Sequence, residues 1–74
     1  MGALGNLTYK DVCCKLRRLG FEYYRDASGS HEVWWNPETR RKTTVAKHRG
    51  NLKEGTLKNT LAQAGIDEDV FLKA

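Results

Sequence analysis

At Gly20 the apolar residues of this 74-residue chain change their spacing, and no other feature restricts the fold as much. Before it, Val12, Cys13, Leu16 and Leu19 recur at a helical period. After it, "FEYYRDA", "SHEVWWN" and "RRKTTVA" carry the aromatic and β-branched residues of strands. The helix has marked ends. Thr8 suits the N-cap and Asp11, three residues on, completes a capping-box pair; Arg17 and Arg18 fall in the last turn, and Gly20 suits a left-handed exit. "SGS" and "NPET" are turn signals, and short loops between successive strands dictate an antiparallel meander. Thr56 is the expected start of a second helix, with Leu57, Leu61 and Ala64 on one face and Gly65 at its end. Asp67 then caps a short turn whose Val70, Phe71 and Leu72 should pack back. The expected fold is α+β: an α-β-β-β-α two-layer sandwich in the manner of double-stranded-RNA-binding domains, with an antiparallel three-stranded sheet and a short C-terminal helical turn. One domain over residues 1–74 is all that this length supports.

Strand periodicity divides the second strand into two faces. His31, Val33 and Trp35 share one; Ser30, Glu32 and Trp34 share the other. Val33 has the character of a core residue, which assigns the helix-covered side to His31, Val33 and Trp35, with His31 at the rim. One tryptophan is then left on the open face, with Tyr24 as a possible companion. An exposed aromatic patch of that kind points first to a protein partner and second to stacking on single-stranded RNA.

Several function classes are excluded or disfavoured. No apolar run of about 18 residues and no signal-peptide pattern is present, so a soluble cytoplasmic protein with no membrane partner is expected. Cys13 and Cys14 are adjacent and have no other cysteine to pair with, and neither His31 nor His48 stands at zinc spacing from them. Core packing is the expected role of the cysteines, and no metal or other cofactor is expected. The net charge is +4. Between Arg40 and Lys58 seven basic residues face a single acid, Glu54, which suits a polyanionic partner as well as a solvated surface.

With no phosphate-binding loop, nucleophile elbow or carboxylate pair, histidine and cations remain. That set suits RNA cleavage, in which the neighbouring 2′-hydroxyl is the nucleophile and the protein moves protons and stabilises charge. His31, beginning a strand after "GS", is placed for such work, although the pattern alone also fits a rim histidine with no chemical task. Gly29 and Ser30 would shape its turn. Lys42, Lys47, His48 and Arg49 are the candidates for holding the RNA backbone, on grounds of charge.

Five elements in order carry a resemblance to a known family: Gly20-Phe21, Gly29-Ser30-His31, Val45-Ala46-Lys47-His48, Gly55-Thr56-Leu57 and Gly65. Over residues 8 to 72 the chain resembles the HicA (YcfA-like) toxins of bacterial toxin–antitoxin systems. The resemblance implies a metal-independent mRNA interferase, an endoribonuclease whose catalytic residue corresponds to His31. It also implies neutralisation by a HicB-like antitoxin. Ala46 stands where the family has a proline, and Glu32 where it often has an apolar, aromatic or basic residue. The rival readings are a non-catalytic RNA-binding module of the same fold and a protein-interaction domain. The oligomeric state of the free chain, monomer included, is left open.

Overall fold

The computed structural model describes residues 3–74; the first two residues of the expected domain lie outside that range. A short 3-10 turn, Ala3–Asn6, precedes helix α1 (Tyr9–Arg18). Strands β1 (Glu22–Asp26), β2 (His31–Trp35) and β3 (Lys42–Ala46) follow, then helices α2 (Glu54–Ala64) and α3 (Glu68–Lys73). The sheet is antiparallel in the order β1-β2-β3, so the α-β-β-β-α sandwich with its short third helix is as expected.

Local chemistry accounts for most boundaries. The Thr8 hydroxyl accepts the Asp11 amide at 3.2 Å while the Asp11 carboxylate accepts the Thr8 amide at 3.0 Å, a complete capping box. Gly20, at φ +93°, turns the chain from α1 into β1. Gly65, at φ +70°, is the left-handed cap of α2. The start of α2 differs from the sequence reading. The helix begins at Glu54 with Lys53 as N-cap, and Thr56 lies in its first turn. Thr60 is turned inward instead, its hydroxyl donating to the Thr44 carbonyl at 2.8 Å. In α3, Asp67 caps the helix by accepting the Asp69 amide at 3.1 Å. Phe71 is fully buried and Leu72 packs on the core, whereas Val70 points to solvent.

The core is built from α1 (Val12, Cys13, Leu16), α2 (Leu57, Leu61, Ala64), Phe71, Leu4 and the inward residues Trp34 and Val45 of the sheet. Only one cysteine joins it: Cys13 is buried and Cys14 exposed. The sheet therefore faces the helices with the opposite side from the one assigned by Val33. Trp34, 1% exposed, lies under the helices together with Glu32, and His31, Val33 and Trp35 face outward. The reason is area. An indole buries far more apolar surface than an isopropyl group, so Trp34 decides the orientation and Val33 follows. Val33 is still 7% exposed, because longer side chains on the outer face flank it.

Both sheet edges are modified. On β3, Gln63 of α2 accepts the Thr44 amide at 2.9 Å, covering that edge with side chains. On β1, Glu22 and Tyr23 pair with Trp35 and Trp34, but the next pair is Arg25 with Val33. Tyr24 is the extra residue of a β-bulge, and the bulge puts Tyr24 and Arg25 on the outer face together.

Two measurements check this account. With Trp34→Phe, the remaining Trp35 emission should be readily quenched by acrylamide; with Trp35→Phe, the remaining Trp34 should be shielded, and the reverse result would restore the opposite face assignment. The capping box holds the Asp11 carboxyl below the ordinary carboxylate range, through the Thr8 amide first and its hydroxyl second. A depressed folded pKa gives stability that is complete above the ordinary value and is lost as pH falls through the folded one. The acid limb of the urea midpoint should accordingly be shallower in Asp11→Asn than in the parent.

Candidate functional site

The turn between β1 and β2 delivers His31 to a fixed place. Gly29 takes φ +63°, where any side chain would be strained although there is open space for one. The His31 amide donates to the Ser28 carbonyl at 3.3 Å, and its carbonyl accepts the Ala27 amide at 2.9 Å. Beside it, the Ser30 carbonyl accepts the Lys47 amide at 2.7 Å. Held on both sides by backbone bonds, His31 begins β2 opposite Ala46 and projects its imidazole to solvent on the outer face.

The sequence candidates separate into two groups. Ser30, His31, Lys47, His48 and Arg49 lie at one end of the sheet, where the β1–β2 turn meets the end of β3. His48 lines a cavity of about 230 Å³ there with Ala46, Leu52, Lys53 and Thr56, between β3 and the start of α2. Lys42 is not with them. It pairs with Trp35 at the far end of β3, four residues along the strand from His31's partner, or roughly 13 Å at ~3.3 Å per residue.

Beneath His31 lies an interaction that the sequence reading missed. The Glu32 carboxylate is buried on the helix side and accepts hydrogen bonds from the Tyr9 hydroxyl at 2.6 Å and the Trp34 indole N–H at 3.0 Å. The Lys47 ammonium stands 3.8 Å from its other oxygen. A buried carboxylate is tolerable when its lone pairs and charge are met in this way. Burial first, and the bond to Glu32 second, raise the Tyr9 phenol well above its ordinary range, so it remains a donor to Glu32 at physiological pH. Burial also pushes the neighbouring Cys13 thiol up. Lys47 is therefore drawn toward the helix layer, and Glu32 lies away from the outer face that carries His31. The signal that could have revealed this was an acid placed two residues before a tryptophan in one strand, both of them on one face.

Above the sheet, the Tyr24 and Trp35 rings are 5.3 Å apart at an interplanar angle of 47°, and the Lys42 ammonium is 5.1 Å from the Tyr24 ring centre. Tyr24 is the companion expected for the open-face tryptophan, but that tryptophan is Trp35 rather than Trp34. Arg25 joins them because of the bulge, which no sequence pattern signalled.

Helices on one side, an open antiparallel meander on the other and a tight turn presenting a histidine define an α+β sandwich of the double-stranded-RNA-binding-domain type. The family model described as the HicA toxin of bacterial toxin-antitoxin systems matches residues 9–66, and the chain belongs to that family. It is thus a toxin of the toxin–antitoxin kind, which implies an antitoxin as partner. No curated protein matched the sequence. No described helix is long and apolar enough to cross a membrane.

Removing one donor from the buried carboxylate should be costly. Tyr9→Phe is expected to lower the unfolding free energy by about 1.5–3 kcal/mol, the range for a hydrogen bond to a charged group. Urea denaturation reads the loss; an unchanged midpoint would show that the Tyr9–Glu32 bond contributes nothing.

Proposed function

We infer that this toxin is an endoribonuclease acting on mRNA, with His31 as its general acid–base residue. What carries the reading is the solvent-facing imidazole of His31, held by backbone bonds in a turn that also binds the Lys47 amide, in a chain whose family consists of toxins. Imidazole changes protonation between about pH 5 and 8 and so exchanges protons under cellular conditions.

The reaction needs little else from the protein. Attack of a ribose 2′-oxygen on the adjacent phosphorus forms a P–O2′ bond and breaks the P–O5′ bond. The products are a 2′,3′-cyclic phosphate and a free 5′-hydroxyl. The proton leaving the 2′-hydroxyl goes to a base and one is supplied to the departing O5′; His31 serves one of these transfers, and water or His48 serves the other. The nucleophile belongs to the substrate, so the step requires no metal-activated water. Lys47, His48 and Arg49 hold phosphates near His31, and Ser30 adds a hydroxyl at the turn. Lys47 can share its charge between Glu32 and a phosphate, since its side chain is 52% exposed. Lys42 acts at a distance from this centre. A HicB-like antitoxin would silence the enzyme by covering the His31 end of the sheet. The cytoplasm, where mRNA is found, is the place for this activity.

The test is cleavage of a labelled, unstructured RNA by purified toxin with chelator present. His31→Ala should lower the rate by about 100-fold or more, the usual contribution of a positioned proton-transfer group, while its urea midpoint stays near the parent's. Equal cleavage by the two proteins would remove His31 from the mechanism. Salt-sensitive binding by both with no cleavage by either would make this an RNA-binding module.

A further inference from the structure

The outer face of the sheet bears more than the proposed reaction uses. Tyr24, Trp35 and Lys42 form a row across all three strands at the end away from His31. Tyr24 is 47% exposed and Trp35 partly so, outside the core that the helices cover. Between this row and His31 the face holds a shallow hollow of about 230 Å³ lined by Arg25, Val33, Lys42, Thr44 and Gln63. Val33 lies midway along β2 between His31 and Trp35, so the hollow lies between the two ends. Among the described residues of this face the cations are Arg25 and Lys42, and the one acid is Glu22, at the edge opposite Trp35.

We propose that the outer face is a track for single-stranded RNA, in which the Tyr24–Trp35 pair stacks a base and Lys42 and Arg25 hold the flanking phosphates. This rests on the reading of His31 as the cleavage residue. Aromatic surface alone would suit a protein equally well. The cations beside the rings, and the position of His31 on the same face, favour a polyanion with exposed bases. A duplex cannot offer a base face to these rings without unpairing, which selects single strands. The roughly 13 Å from Trp35 to His31 along β2 is several times the ~3.4 Å rise between stacked nucleotides. The base on the rings therefore belongs to a nucleotide removed from the scissile phosphate. Such a contact makes cleavage depend on an accessible base a short way along the strand.

Binding can be measured without cleavage, using a fluorescein-labelled 12-nucleotide 2′-O-methyl oligouridine, whose blocked 2′-oxygens prevent the reaction. The parent should bind it, and Trp35→Ala and Tyr24→Ala should each weaken binding by about 5- to 100-fold, as for loss of one stacked base. Trp35→Phe should recover most of the affinity. Lys42→Ala should flatten the dependence of log K on log salt by about 0.7. Lys58→Ala, on α2, should match the parent. In Trp34→Phe protein, the probe should quench the remaining Trp35 emission.

Parent-like binding by folded Trp35→Ala and Tyr24→Ala overturns the proposal, as does absence of binding by the parent. If those variants bind the probe normally but no longer form a complex with the antitoxin, the face belongs to a protein instead. The two readings fail separately. Lost probe binding together with His31-independent cleavage leaves the track and removes the catalytic role; normal probe binding together with His31-dependent cleavage does the reverse.

Discussion

A carboxylate beneath the sheet fixes how the rest of this protein is arranged. Glu32 is the inward neighbour of His31, and its oxygens bind α1 through Tyr9, the central indole through Trp34 and the end of β3 through Lys47. A single acid thus ties one helix and two strands together. Removing the carboxylate would leave a phenol and an indole without their partner, and such orphaned groups cost about 1–3 kcal/mol each. Because Glu32 and Trp34 must point inward together, His31 and Trp35 must point outward. The side on which chemistry can occur follows from what is buried below.

The second organising contact is polar as well. Thr43, Thr44, Thr60 and Gln63 bond to one another between β3 and α2: the Thr43 hydroxyl donates to the Thr60 carbonyl at 2.6 Å, and Gln63 accepts from both threonines of the strand. These bonds set α2 in register along β3. The helix layer is thereby anchored at the central strand, by Tyr9 under β2, and at one edge, by Thr60 and Gln63 beside β3. The aromatic and cationic residues of the outer face, Tyr24, Arg25, Trp35 and Lys42, take no part in these bonds and are available for a ligand.

Much of this was legible in the sequence. The capping box, the left-handed Gly20 after α1 and the turns between the strands are local devices whose chemistry lies within a few residues, and they were read correctly, element order included. His31 at the mouth of a turn was visible for the same reason. The side of the sheet was not, because it depends on a competition between Val33 and Trp34 for the same layer, and on partners for Glu32 from residues 23 and 15 positions away in sequence. The bulge at Tyr24 was hidden too: an extra residue in one strand shows only against its partner. Lys42 and Lys47 look equivalent as charges, yet pairing register puts them at opposite ends of β3.

The state of the two sheet borders has a consequence for how this toxin meets other chains. A plain border strand invites a foreign strand to extend the sheet, by way of backbone amides and carbonyls that any sequence possesses. Here α2 side chains already occupy one border, and the Tyr24 bulge interrupts the repeat of the other. Recruitment by backbone alone is therefore impeded on both flanks, and selectivity passes to side chains. An inhibitor must then recognise this particular surface rather than strandedness in general.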